Sequence, residues 1–210
     1  MAQTGMFRII RSQFARDWDS VASAAKETLD MGTRHSFGMP IQMSRFHLSY
    51  CRAVRGEGNS DVLNEMRAIL QTRRTTNYYP LYLGLMAEAQ AKCGDHGGAL
   101  QTITEARSIV KSTGERLVEP ELLRSHGILL RQVNSAQAES LLRAALSEAR
   151  RQRARGWELR AAVSLAELLS ETDRKSQALD LLRPVEAAFN QCTVTVDLRA
   201  ARDLLRALAC

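Results

Sequence analysis

Small and apolar positions recur along the chain with one fixed offset. Ala99, Ile103 and Ala106 show it, then Ala138, Leu142 and Ala145, then Ala178, Leu182 and Val185. Weaker copies begin at Val62 (with Met66 and Ile69) and at Ala22 (with Ala25 and Leu29). A step of four followed by three keeps residues on one face of a helix. The starts at 22, 62, 99, 138 and 178 are separated by 40, 37, 39 and 40 residues. Each interval holds a pair of helices of roughly 15 residues and two short turns. The pattern therefore predicts an all-α chain of about five helical hairpins with one more helix at the C-terminal end. Breakers stand where turns are needed inside the hairpins: Gly56 to Asn59, Gly94 with Asp95, Val133 to Ser135, and Ser170 to Asp173. Between hairpins they fall at Gly32 to Ser36, Thr75 to Tyr79, Thr113 to Pro120, Arg155 with Gly156, and Gln191 to Thr195. The leading helix of the first hairpin is expected only over Met6 to Phe14. It offers Phe7, Ile9, Ile10 and Phe14 at the end of the array, where a polar outer face is the rule.

One hairpin cannot bury its apolar stripe alone, whereas stacked hairpins share a continuous core. Residues 1–210 therefore read as a single helical-repeat domain, an α-solenoid of tetratricopeptide-like hairpins. In such hairpins the small positions mark close helix crossings, which gives Ala99, Ala138 and Ala178 a packing reason. Leu165 with Ala166, and Met86 with Ala87, fall where that motif wants a leucine and then a small residue. Gln90 stands where an aromatic is usual, and the spacing exceeds the 34 residues of the standard repeat.

Composition sharpens this reading. Leu, Ala, Arg and Glu dominate and favour helix, while 12 Gly and 4 Pro are few for a loop-rich β protein. Net charge is +6, and 25 of the 29 basic residues are arginine, so an acidic or nucleic-acid partner has to be weighed. Cys51, Cys93, Cys192 and Cys210 are far apart, and with the four histidines they form no metal-binding spacing, so no metal or cofactor is expected. Free thiols in a reducing cytoplasm are the expectation, since no run reaches the roughly 20 apolar residues of a membrane span.

From about Tyr79 to Leu208 particular stretches stand out: GLMAEAQAKCGDHGGAL at 84 to 100, TGER at 113 to 116, ELLRSHGILL at 121 to 130, and ARRQRARGWELRAAVSLAEL at 149 to 168. ALDLLRPVEAAF at 178 to 189 and DLRAARDLLRAL at 197 to 208 continue them. In order and spacing these resemble the C-terminal helical-repeat module of bacterial signalling proteins, the predicted ATPases associated with class III adenylate/guanylate cyclase domains. The resemblance implies a scaffold or regulatory module in residues 79–210, with 1–78 as divergent repeats. In FNQCTVTVDL at 189 to 198 the chain departs from that pattern, which carries an acidic, glycine-containing turn there. No GxxxxGK[ST] loop is present to cradle phosphates, and no paired metal-binding aspartates stand in a cyclase context, so neither activity carries over.

Two candidate regions remain. Arg150, Arg151, Arg153 and Arg155 crowd just before Trp157. At about 100° per residue they fan around the helix instead of lining one groove, so a helix C-terminus and turn explains them better than a nucleic-acid reader. Trp157 is expected as a wedge between repeats. On the leading helices, His47, Glu88, Lys92, Arg124, Arg160, Glu167 and Glu171 face one side, and this mixed charge suits a protein or peptide partner. His47 and His126 are the places to seek a histidine–carboxylate pair for acid–base work, but no partner is fixed by spacing. The expectation is a non-enzymatic interaction module with possible self-association through the N-terminal end. A nucleic-acid-binding helical repeat is the alternative class.

Overall fold

The computed structural model describes residues 2–72, 78–189 and 195–209; of residues 2 and 3 only the backbone is described. Among them are eleven α-helices and no strand. They run as α1 (Ala2–Ala15), α2 (Trp18–Arg34), α3 (Gly38–Arg52), α4 (Ser60–Gln71), α5 (Tyr79–Lys92), α6 (His96–Thr113), α7 (Glu119–Leu130), α8 (Ser135–Arg151), α9 (Arg155–Glu171), α10 (Lys175–Ala187) and α11 (Val196–Ala209). This is the expected tetratricopeptide-like architecture of five hairpins and a C-terminal helix. No helix is long and apolar enough to cross a membrane among the described residues.

The repeat offset is a packing code. Ala99, Ile103, Ala106, Ala138, Leu142, Ala145, Ala178 and Leu182 are all at 0% exposure, and Val185 is also buried. A small residue at the crossing brings two helix backbones together, and the residues four and seven further on fill the space beside it. Gly127 on α7 marks one such crossing: a Cβ there would stand 2.9 Å from Leu142 Cγ and 3.1 Å from the Ala138 carbonyl.

The chain divides into two compact units, with the boundary inside α6 after Thr102. In the first, α1, α3 and α5 form one layer and α2 and α4 the other. Ile9 packs with Val21, Ala22, Ala24, Ala25 and Cys51. A π-helical turn at Ala53–Glu57 ends α3 and leads to Asn59, whose side chain caps α4. Gln90, at the place where the repeat usually has an aromatic, is buried and replaces stacking by hydrogen bonds. Its amide nitrogen donates to Asp95 at 2.9 Å, and its oxygen accepts from the Thr102 hydroxyl at 2.8 Å. In the second unit α7, α9 and α11 form the inner layer, with α8 and α10 behind them.

Two boundaries differ from expectation. The leading helix of the first hairpin covers Ala2–Ala15, longer than Met6 to Phe14, because its first turn carries no apolar signal to betray it. Gly5 is tolerated there since α1 crosses α2 at that point, and a Cβ would strike the Thr28 side chain. The turn expected at Arg155 and Gly156 lies earlier, at Gln152 to Ala154, with Arg153 in the left-handed conformation (φ 56). The αL residue that closes a helix is usually glycine, so Gly156 drew the turn towards itself; in the fold it belongs to the first turn of α9. Val196 opens α11, as expected after the turn at 191 to 195, while most of the turns expected at 75 to 79 and 191 to 195, and Cys192 and Cys210, lie outside the described residues. Cys51 is buried and Cys93 half-buried, both as free thiols.

Candidate functional site

In the second unit the inner layer carries a line of charges that pass from helix to helix. Glu121 and Arg124 sit one turn apart on α7, and Arg160 and Ser164 one turn apart on α9, so both pairs share a face. The Arg124 guanidinium donates to Glu121 through Nε at 3.0 Å and Nη2 at 2.7 Å, and reaches Ser164 Oγ at 3.4 Å. Arg160 stands 3.6 Å from Glu121 on one side and donates from Nε to Asp197 of α11 at 2.7 Å on the other. Both arginines are buried at 8% exposure. At the other end of the same helices Arg131 donates to Glu171 at 2.6 Å and to Glu167 at 3.2 Å, and these two glutamates keep their solvent edge. The buried pairs of Arg124 and Arg160 repay their desolvation only through close geometry, so they fix how α7, α9 and α11 register more than they add stability.

The first unit has a counterpart in which a phenol takes the place of the arginine. The Tyr50 hydroxyl on α3 donates to Glu88 of α5 at 2.8 Å. Burial, and then the Glu88 charge, hold the phenol well above its ordinary range. His47, one turn before Tyr50, is sealed at 1% exposure beside the rings of Phe46 and Tyr82. Neither of its nitrogens has a hydrogen-bond partner, and burial pushes its pKa down to about 4. Lys92 is exposed at the end of α5.

The structure thus brings Arg124 and Arg160 together through Glu121, and Glu167 and Glu171 together through Arg131. Glu88 is joined to Tyr50, His47 lies beneath the surface, and Lys92 stands apart. Glu121, Arg131, Ser164, Asp197 and Tyr50 complete these links and were not singled out in the sequence. The signal for them was the repeat spacing itself: Tyr50 and Glu88 are 38 residues apart, and Arg131 and Glu171 are 40 apart.

Neither histidine pairs with a carboxylate. His126 Nδ1 faces the Arg107 guanidinium at 2.8 Å, and burial together with that cation lowers its pKa, so the ring stays neutral as an acceptor. Among the described residues no three His, Cys, Asp or Glu side chains gather as metal ligands. At the arginine cluster, Arg150 pairs with Glu158 at 2.8 Å and Arg151 donates from Nε to Glu148 at 2.8 Å. Gln152 binds the Arg116 carbonyl at 2.7 Å, which ties this turn to the one before α7. Trp157 is half-buried in the first turn of α9.

No protein-family profile and no curated protein matches the chain in sequence. Solved structures do match. PlcR from Bacillus thuringiensis, crystallised with the peptide PapR7 and DNA, superposes with a TM-score of 0.80 at 10% identity, over 99% of this chain and 73% of that one. The apo form of RapI gives 0.62 at 12% identity, over 99% and 83%. A kinesin light chain from Podosopora anserina with nearly identical TPR-like repeats gives 0.59 at 12% identity, over 89% and 93%. At these identities the likeness is one of fold, and the fold is the tetratricopeptide-like helical repeat.

Proposed function

We propose that this chain is a non-enzymatic module that binds a protein or peptide partner through the inner helices of its repeats. The observation that carries the reading is the charge line of α7, α9 and α11. Its cations are already matched by Glu121, Asp197, Glu167 and Glu171, so the face offers mixed, directional polarity and no surplus of positive charge. Such a face discriminates among peptide segments by complementary charge. A phosphate backbone, by contrast, is bound by cations whose counterions it releases. In the second unit Glu167 and Glu171 would meet the partner, while Arg124 and Arg160 hold the face in register; in the first unit Glu88 and Lys92 would offer a contact of their own, and His47 is a packing residue inside that unit. The crystallisation of PlcR with a peptide supports this use of the fold. On the stretches between 84 and 208 we further infer that the module serves a bacterial, cytoplasmic signalling system of the ATPase- and cyclase-associated kind.

The test is selection of binding peptides from a displayed library on the full chain, followed by calorimetry against a Glu167→Lys/Glu171→Lys variant. Charge reversal should weaken the selected peptide roughly tenfold or more. Duplex DNA and single-stranded RNA are titrated in parallel at several salt concentrations. Tight, steeply salt-dependent nucleic-acid binding, with no peptide selected, would replace this reading by the nucleic-acid one.

A further inference from the structure

The four arginines before Trp157 do not share one fate. Arg150 and Arg151 are neutralised by Glu158 and Glu148. Arg153 and Arg155 are exposed and have no ion-pair partner among the described residues. Arg155 opens α9, and the residue before it, Ala154, has no side chain to cap the helix, so the first-turn N–H groups keep their partial positive charge.

Beside this turn lies a half-open pocket of about 190 Å³ between the end of α8, the start of α9 and the end of α10. Arg150, Arg155 and Glu158 form its polar rim, and Pro184, Val185 and Phe189 its apolar wall. Glu158 is engaged by Arg150, which leaves Arg155 as the surplus charge of the rim. The pocket is below the roughly 300–1,000 Å³ that holds a drug-sized ligand or a nucleotide, but it admits one small ring or branched chain. An apolar wall facing a single surplus cation selects for an apolar body with one negative end. A phosphate or sulfate would satisfy the cation and leave the wall wet, and a neutral hydrocarbon would leave the cation unmatched.

We propose that this pocket is a binding site for a small apolar monocarboxylate, its carboxylate on Arg155 and its hydrocarbon part against Pro184, Val185 and Phe189. The site is distinct from the inner face of α7, α9 and α11 and does not depend on what that face binds. The same chemistry is presented by a free acid and by the C-terminal residue of a peptide, and the probes separate the two.

Nitrogen-15 NMR of the full chain follows the Gly156 and Phe189 amides during titration with 3-phenylpropionate, its neutral amide, N-acetyl-Ala-Phe and inorganic phosphate. Saturable shifts at about millimolar 3-phenylpropionate, the affinity expected of so small a ligand, with none from the amide or phosphate, support the site. Saturation by N-acetyl-Ala-Phe alone assigns the carboxylate to a peptide end. Arg155→Gln should weaken binding roughly tenfold, the worth of a charge-assisted hydrogen bond. Ala188 is exposed on the pocket wall, so Ala188→Phe fills the space without touching the core and should abolish binding with an unchanged far-ultraviolet spectrum. Equal shifts from the amide, or from phosphate, or binding that survives both variants, would overturn the proposal.

Discussion

At the residue scale, His47 is the most consequential side chain that sequence placed on a face and the fold placed in the interior. An imidazole with both nitrogens unpaired is carried there only in its neutral form, because charging it would cost the full desolvation penalty. Its folded pKa, about 4, lies below the 6.5 of the unfolded chain. Between those values the unfolded chain binds a proton that the folded one refuses. Stability from this residue is therefore fully present above pH 6.5 and declines as pH falls towards 4, by about 3 kcal/mol in all. Urea denaturation of wild type and His47→Leu at neutral pH and near pH 4.5 isolates the effect from the paired carboxylates. The variant should be at least as stable at neutral pH and should lose less on acidification; parallel losses would show that another group governs the acid limb. Gly127 gives a steric prediction at the same scale. Gly127→Ala improves helix propensity by about 1 kcal/mol, yet its Cβ must displace Leu142 or part α7 from α8, a strain of about 1–3 kcal/mol. Thermal denaturation should show net destabilisation.

At the scale of elements, α11 is held by few groups. Leu198, Ala201 and Leu208 are its buried residues, and it packs on α9 and α10. Two ion pairs tie it to its neighbours: Arg160 to Asp197, at 8% and 12% side-chain exposure, and Arg202 to Glu186 of α10, at 38% and 20%, so the first is the buried one. Truncating one partner of such a pair leaves the other charge buried, so Asp197→Ala should cost about 3 kcal/mol. The loss should be local first. Hydrogen exchange should accelerate over Val196–Ala209 before it does in α8 or α9, whereas Arg206→Gln on the exposed side should leave the pattern unchanged. Uniform acceleration across the second unit would mean that the pair anchors the whole inner layer.

At the scale of the molecule, the amino-terminal end splits the four apolar residues of its leading helix. Ile9 is fully buried against α2, whereas Phe7 keeps 72% of its surface and Phe14 37%. Arg8 and Glu27 close the polar side of the same hairpin. The self-association expected from the sequence is a proposal, and Phe7 and Phe14 are the exposed aromatics of this helix on which it can be tested. Light scattering across a concentration series should show a species above monomer mass that Phe7→Ser/Phe14→Ser returns to monomer. A strict monomer in both chains would remove the idea.

Much of this protein is written locally. The offset of Ala99, Ile103 and Ala106 and its copies specifies helices, their buried faces and their number, because a periodic stripe and a small crossing residue act within a turn or two of chain. The weaknesses were local as well: the start of α1 has no apolar stripe to read, and the turn before α9 is closed by Arg153 in the left-handed region, where a glycine is usual. Only the tertiary structure decided the partners of the charges. Arg160 meets Asp197 and Glu121, and Arg131 meets Glu167 and Glu171, across 36 to 40 residues in sequence. Nothing in one helix distinguishes an arginine destined for a neighbouring helix from one destined for water. Burial and ion pairing are set by the helix stacked alongside, and so the fold was legible in the sequence while the site was not.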